Sequence, residues 1–267
     1  MHRRDFLKAT AFVSLAASSG SLAADALPKK RKTPQPKPPP PPVPGITPPV
    51  LQAISETGVT VFWTTSAPAT GWVEYGETPA LGQVARGEVD GLLPYDERVL
   101  RVRLSGLQPG RVYHYRVQTA AFDFTHPYSV GRGAAQPGPI FEFKTLDAGA
   151  SEARFIVWND THQNQDTIAQ LIEQSARHPA DFLFWNGDLF NAITTDAMLE
   201  GEVLHPAGRE YAARRPVMFG RGNHDVRGAR ARLLHRVLEP AGGRYYHHFR
   251  HGPAAFLALD TGEDKVD

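Results

Sequence analysis

Phe155-Ile-Val-Trp-Asn-Asp160-Thr-His162, Phe182-Leu-Phe-Trp-Asn-Gly187-Asp188 and Val217-Met-Phe-Gly-Arg-Gly222-Asn223-His224-Asp225 share one plan. Each is an apolar run that stops abruptly in side chains able to hold a metal. A short, continuous apolar run bounded by turn residues suits a strand buried on both faces. Three such strands would deliver carboxylate, amide and imidazole groups to one edge of a sheet. Between the first two, Ile168, Leu171 and Ile172 fall at helical spacing, with Gln170, Glu173 and Gln174 opposite. From Ala153 onward the chain therefore reads as strand–helix alternation, an α/β layered domain. Arg227 to Leu238 is expected as an amphipathic helix with Leu233, Leu234 and Val237 inward. Tyr245 to Phe249 and Ala254 to Leu259 are expected as a strand pair turned at Gly252-Pro253.

Upstream, Val50 to about Leu146 reads as all-β. Val59-Thr-Val-Phe-Trp63-Thr-Thr and Gly71-Trp-Val-Glu-Tyr75-Gly alternate with a β-branched and aromatic bias. Arg98–Leu104, Val112–Val117 and Phe141–Thr145 continue the pattern, and Leu107-Gln-Pro109-Gly110 breaks it as a tight turn should. No catalytic cluster is visible here, so the aromatic residues read as core.

The chain has 267 residues, enough for two modest domains with real cores. Its formal net charge of +1 argues against a nucleic-acid partner, whose footprint would be strongly basic. With no cysteine, a metal must be held by His, Asp, Glu, Asn or backbone oxygen. Arg3-Arg4-Asp5-Phe6-Leu7-Lys8 resembles the twin-arginine export signal, and a weakly apolar Ala- and Ser-rich stretch follows it to Ala23. That stretch is too weakly hydrophobic for a membrane span, which needs roughly 20 apolar residues. Residues 1–26 are thus expected as a signal peptide handled by the twin-arginine machinery, with a periplasmic or secreted product in a bacterium. Residues 27–49, Lys- and Pro-rich with Pro38 through Pro42 consecutive, read as an extended spacer.

Hydrolysing a phosphoester at neutral pH needs a strong nucleophile and neutralisation of the phosphoryl charge. Two metal ions roughly 3.5–4 Å apart supply both. A carboxylate with two oxygens suits a bridging position, and Asp188 after the flexible Gly187 is the candidate. Asp160 and His162 are two residues apart, so an extended strand end would put them on one side. Asn223 offers a neutral carbonyl oxygen. His224 would lie beside the phosphate as hydrogen-bond donor or acid, with Asp225 orienting His224 or a neighbour. Arg221 beside Gly222 is a candidate phosphate clamp within an arginine-rich stretch.

These residues carry a family resemblance. Asp160-x-His162, Gly187-Asp188 with Asn191, and Gly222-Asn-His-Asp225 resemble the first three motifs of calcineurin-like metallophosphoesterases. Leu107-x-Pro-Gly-x-x-Tyr113-x-Tyr115-x-Val117 resembles the tyrosine corner of fibronectin type III sandwiches. With the Trp63 and Trp72 strands, it also resembles the N-terminal domain of purple acid phosphatases. The resemblance implies a β-sandwich over residues 50–147, then an incomplete α/β metallophosphoesterase domain over residues 153–267. It implies a metal-bridging hydroxide acting on a small phosphoester, with two divalent or trivalent ions (Mn, Fe or Zn). One would be on Asp160, His162 and Asp188, the other on Asp188 and Asn223. His224 and Asp225 would be catalytic. The family completes both sites with later histidines, an isolated His and a Gly-His-x-His. The chain is accordingly expected to be C-terminally truncated and to hold at most one metal tightly. His247, His248 and His251 read as ordinary strand or surface residues. Purple acid phosphatases carry Gly and Tyr where His162 and Asn191 stand, so a phenolate-coloured iron is not expected. The alternatives are an inactive exported β-sandwich module with a remnant phosphoesterase domain, and a single-metal binding protein using Asp160, His162 and Asp188.

Overall fold

A computed structural model describes residues 42–261, except 44, 89, 127–128 and 205–210. The expected signal peptide, most of the Lys/Pro-rich spacer, His205, Arg209 and the segment after Thr261 lie outside the described residues.

The first half forms nine strands: β1 (Val50–Gln52), β2 (Gly58–Thr64), β3 (Ala69–Gly76), β4 (Gln83–Arg86), β5 (Val99–Ser105), β6 (Val112–His126), β7 (Ser129–Arg132), β8 (Gln136–Pro137) and β9 (Phe141–Lys144). β1, β2 and β5 make one antiparallel layer, while β4, β3 and β6 make the other, with β7, β8 and β9 also pairing on β6. The expected β-sandwich is therefore present. Its tyrosine corner is explicit, since the Gln108 N–H donates to the Tyr113 hydroxyl at 3.0 Å. Buried between the layers, the Trp63 indole donates to Thr119 Oγ1 at 3.0 Å, which satisfies its one polar atom inside the core.

The second half contributes β10 (Phe155–Trp158), α1 (Gln165–Ala176), β11 (Phe182–Asn186), α2 (Asp196–Leu199), β12 (Val217–Gly220), β13 (His247–His251) and β14 (Ala254–Ala258). The three motif strands β10, β11 and β12 lie side by side and parallel. Asn164 caps α1 by accepting from the Thr167 N–H at 2.9 Å, and Ile168 and Ile172 are buried beneath it. β13 and β14 form the expected antiparallel pair.

The two halves share a sheet. β1 pairs in parallel with β12 through Gln52 and Val217, giving a continuous order β10-β11-β12-β1-β2-β5. This explains why every residue of β2 is buried rather than every second one. Val59, Val61 and Trp63 face the sandwich core, while Phe62 joins Trp158, Leu183 and Trp185 in the core of the second half. Polar ties reinforce the seam. Gln52 donates to Val237 O and accepts from the Glu239 N–H, both at 2.8 Å, and the Tyr115 hydroxyl donates to Ala213 O at 2.6 Å. Burial pushes the Tyr115 phenol well above its ordinary pKa, which keeps that donor proton in place.

One expected element is reduced. The Arg227–Leu238 helix is only a 3-10 segment over Ala231–Arg236. The backbone of 227–230 is engaged elsewhere: Ile193 donates to Arg227 O at 2.8 Å and accepts from the Arg230 N–H at 3.0 Å. Gly228 sits at φ +92° so close to Ile193 that a Cβ would lie 2.3 Å from its carbonyl oxygen. Helical turns therefore cannot begin before Ala231. Leu234, Val237 and Leu238 are buried nonetheless.

Candidate metal centre

The three motif loops leave adjacent strand ends and knit together by backbone hydrogen bonds. Asp160, His162 and Gln163 donate to the carbonyls of Gly187, Asp188 and Leu189 at 3.3, 3.0 and 2.8 Å. Asp160 and His162 are not the pleat neighbours of an extended strand end. The strand stops at Trp158, and both residues adopt left-handed backbone, at φ 50° and 45°. A tight turn, held by the next loop, brings the two side chains together instead.

Asp188 stands at the centre, also left-handed, at φ 52°. Its position depends on two glycines. A Cβ on Gly222 would fall 2.2 Å from Asp188 Oδ1, and a Cβ on Gly187 would fall 2.8 Å from Gly222 Cα. Only glycines allow the second and third loops to approach this closely.

Asp225 fastens those loops. Its fully buried carboxylate accepts from the backbone N–H groups of Asp188 and Gly222 at 2.9 Å, Leu189 at 3.0 Å and Phe190 at 3.2 Å. Burial pushes its carboxyl up to about 6, although these N–H donors pull the other way. The carboxylate makes no bond to the His224 ring, which is oriented from another direction. His224 Nδ1 lies 3.1 Å from Asn191 O, within hydrogen-bond distance. The His224 N–H donates to Asp188 Oδ1 at 2.9 Å.

His162, Asp188 and His224 present ligand atoms within 4.8 Å of one another. His162 Nε2 lies 3.6 Å from Asp160 Oδ1 and 3.9 Å from Asp188 Oδ2. Both distances are too long for a hydrogen bond. They are near the roughly 3–3.5 Å separation of ligand atoms around a cation with ~2.1 Å bonds. Asn223 lies beside Asp188: its amide donates to Asp188 Oδ2 at 3.3 Å and accepts from Arg227 Nη2 at 2.9 Å. The residues present thus fit a metal: the His162 and His224 imidazoles and the Asp188 carboxylate face one another, with Asp160 and Asn223 beside them.

Arg221, the candidate clamp, is committed elsewhere. Its guanidinium pairs with both oxygens of Asp260, at 3.0 and 2.6 Å, and lies 4.0 Å from the Tyr245 ring centroid. The guanidinium beside the cluster is that of Arg227, whose Nη1 is 3.1 Å from each ring nitrogen of His224. In the sequence it was one of many arginines on a presumed helix. Its signal was its place two residues after Asp225. Among the β13 histidines, His251 is buried and structural. It accepts from the Asp147 N–H at 3.1 Å and contacts Asp181 Oδ2 at 2.9 Å.

Residues 153–262 match the calcineurin-like phosphoesterase family, and residues 49–145 match the purple acid phosphatase N-terminal domain family. The two matches fall one on each half of the fold, the second on the sandwich and the first on the three motif strands. In fold the chain is similar to purple acid phosphatase PPD1 of yellow lupin (Lupinus luteus), with TM-score 0.58 and 18% identity over 83% of this chain and 46% of that one. It is also similar to PhoD, with TM-score 0.50 and 15% identity over 82% of this chain and 52% of that one. The chain thus spans about half the length of these structures. No curated protein matches it.

Proposed function

We propose that this protein is a metal-dependent phosphoester hydrolase exported by the twin-arginine route. The gathering of His162, Asp188 and His224 ligand atoms within 4.8 Å of one another, with Asp160 Oδ1 3.6 Å from His162 Nε2 and Asn223 beside Asp188, carries the reading. A bound Mn, Fe or Zn ion supplies a Lewis acid that activates water and offsets phosphoryl charge. Around it, Asp160, His162 and Asp188 hold the ion, with Asn223 as a neutral fourth donor. His224 stands at the mouth of the cluster, where its ring meets the phosphoryl group or the departing oxygen. Asp225 is a positioning residue: it acts through the backbone of the Asp188 and Gly222 loops. Small phosphomonoesters and phosphodiesters are both compatible with this site, whose His162 ring is about a third exposed.

The purified chain, loaded with Mn²⁺, should hold one equivalent tightly and slowly hydrolyse p-nitrophenyl phosphate or its bis ester. Asp188→Asn should abolish both properties. Absence of metal binding, or hydrolysis indifferent to Asp188, defeats the reading. Two tightly held equivalents with fast turnover defeat its single-ion part. The Arg3-Arg4-x-Phe6-Leu7-Lys8 motif supports export. Residues 1–26 fused to a reporter should carry it to the periplasm, and replacing both arginines by lysine should retain it in the cytoplasm.

A further inference from the structure

Asp225 holds the loop after β11 only as far as the Phe190 N–H, at 3.2 Å. Asn191 lies one residue beyond, exposed and outside any regular element, between β11 and α2. Among the described residues its two backbone groups are held by side chains alone. Its N–H donates to Gln163 Oε1 at 2.9 Å, and its carbonyl oxygen lies 3.1 Å from His224 Nδ1. A backbone N–H only donates, so the Gln163 atom that faces it is the amide oxygen. We infer that Gln163 is a positioning residue: by fixing the Asn191 backbone, its side chain holds the His224 ring with the proton on Nδ1. The catalytic meaning of this hold rests on the phosphoester reading above.

Gln163 is itself anchored. Its own N–H donates to Leu189 O at 2.8 Å, and its backbone is left-handed at φ 62°, a costly conformation for a residue with a long side chain. Backbone and side chain thus grip the same loop at two points, Leu189 and Asn191. The Asn191 side-chain amide adds a longer tie, donating to His162 O at 3.4 Å. Exposure means that burial cannot hold the Asn191 carbonyl in place, so these polar ties must. That carbonyl is also what tells the two nitrogens of His224 apart. Arg227 Nη1 touches the ring too, but it lies 3.1 Å from both nitrogens and so distinguishes neither. The Asn191 oxygen faces Nδ1. A carbonyl only accepts, so the contact is a hydrogen bond in the ring form that carries its proton on Nδ1, and that form is favoured.

The test is nuclear magnetic resonance on the full chain, metal-free and at about pH 8, where an ordinary histidine is neutral. In wild type, proton–nitrogen correlations should place the His224 ring proton on Nδ1, and the Asn191 amide should resist hydrogen exchange despite its exposure. Gln163→Met, of similar length but without the acceptor, should speed exchange at Asn191 by roughly tenfold and give His224 a mixture of both ring forms. Gln163→Glu, which keeps an oxygen at the same reach, should restore both signals. With Mn²⁺ added, kcat for p-nitrophenyl phosphate should fall roughly tenfold in Gln163→Met, while KM and Mn²⁺ affinity stay within about threefold. A wild-type His224 protonated on Nε2 overturns the inference, whatever the variants do. Unchanged exchange and ring form in a Gln163→Met protein that is folded by circular dichroism also overturn it. Both results leave the phosphoester reading standing. The expected signals in a chain that takes up Mn²⁺ but hydrolyses nothing defeat that reading and keep the hold on His224. A loosened ring with unchanged kcat overturns the catalytic meaning of the hold.

Discussion

The β-sandwich and the metal-facing edge lie on one continuous sheet, yet they are held by different means. In the sandwich, Trp63, Leu104 and Tyr115 are almost wholly buried, and the strands keep ordinary extended backbone. At the edge, the candidate ligands remain partly exposed, and Asp160, His162, Gln163 and Asp188 all adopt left-handed backbone. These are four of the seven such non-glycine residues among the described residues, so backbone strain is concentrated where the ligands stand. Burial cannot fix side chains that must face solvent and substrate. Backbone hydrogen bonds and glycine contacts fix them instead, and Asp225 ties four of those bonds to one carboxylate.

The sharpest way to break this contrast is to remove that carboxylate. Asp225→Ala leaves four inward-facing N–H groups without their acceptor. At about 1–3 kcal/mol for each buried orphan, partly recovered by water, the loss should be about 4 kcal/mol or more. Urea denaturation measures it, and Asp225→Asn, which keeps one oxygen, should fall between. A loss under about 1 kcal/mol would show that the loops hold themselves and that Asp225 is not their fastening.

The sequence shows this contrast only in part, and the reasons are physical. Apolar runs of β-branched and aromatic residues favour burial, so β2, β11 and β12 are buried where the pattern places them, while β10 corrects the expectation of burial on both faces: at the sheet's edge it leaves Phe155 and Val157 exposed. Spacing on successive strand ends also brings Asp160, His162, Asp188, Asn223 and His224 to one edge. Periodicity cannot report backbone partners far along the chain. The Ile193 bonds that prevent a helix at Arg227 are invisible in it, as is the Arg221–Asp260 pair that withdraws the expected clamp. Left-handed turns at Asp160 and His162 leave no compositional trace either, because neither residue is glycine. The shared sheet is hidden for a similar reason. β1 is only three residues long, and a single register pair, Gln52 with Val217, carries the connection.

A smaller effect tests whether the two regions act as one folding unit. Tyr115→Phe removes the hydroxyl that bonds Ala213 O across the seam and leaves that carbonyl buried. It should cost about 1–2 kcal/mol without loss of metal binding. Combined with Asp225→Ala, the losses should add within ~0.5 kcal/mol if seam and edge are independent, as their separate contacts imply. A larger deviation would mean that strain at the edge is transmitted through β12 to the sandwich.

Asp188→Asn should change stability least and binding most, and so separates fold from function at a single atom. The amide keeps an oxygen where Oδ1 accepts from the His224 N–H, so no backbone donor is orphaned. Replacing the charge also relieves repulsion toward the buried Asp225 carboxylate, an interaction that helps to raise the Asp225 pKa. Unfolding free energy should therefore stay within ~1 kcal/mol of wild type, or rise slightly. Mn²⁺ affinity, by contrast, should fall at least about a hundredfold, because the carboxylate that faces both His162 and Asn223 has lost its charge. Denaturation and equilibrium dialysis on the same preparation read both quantities. A variant that unfolds early would mean that Asp188 belongs with Asp225 as a fastening. One that keeps its metal would move the centre toward Asp160 and away from the second and third loops.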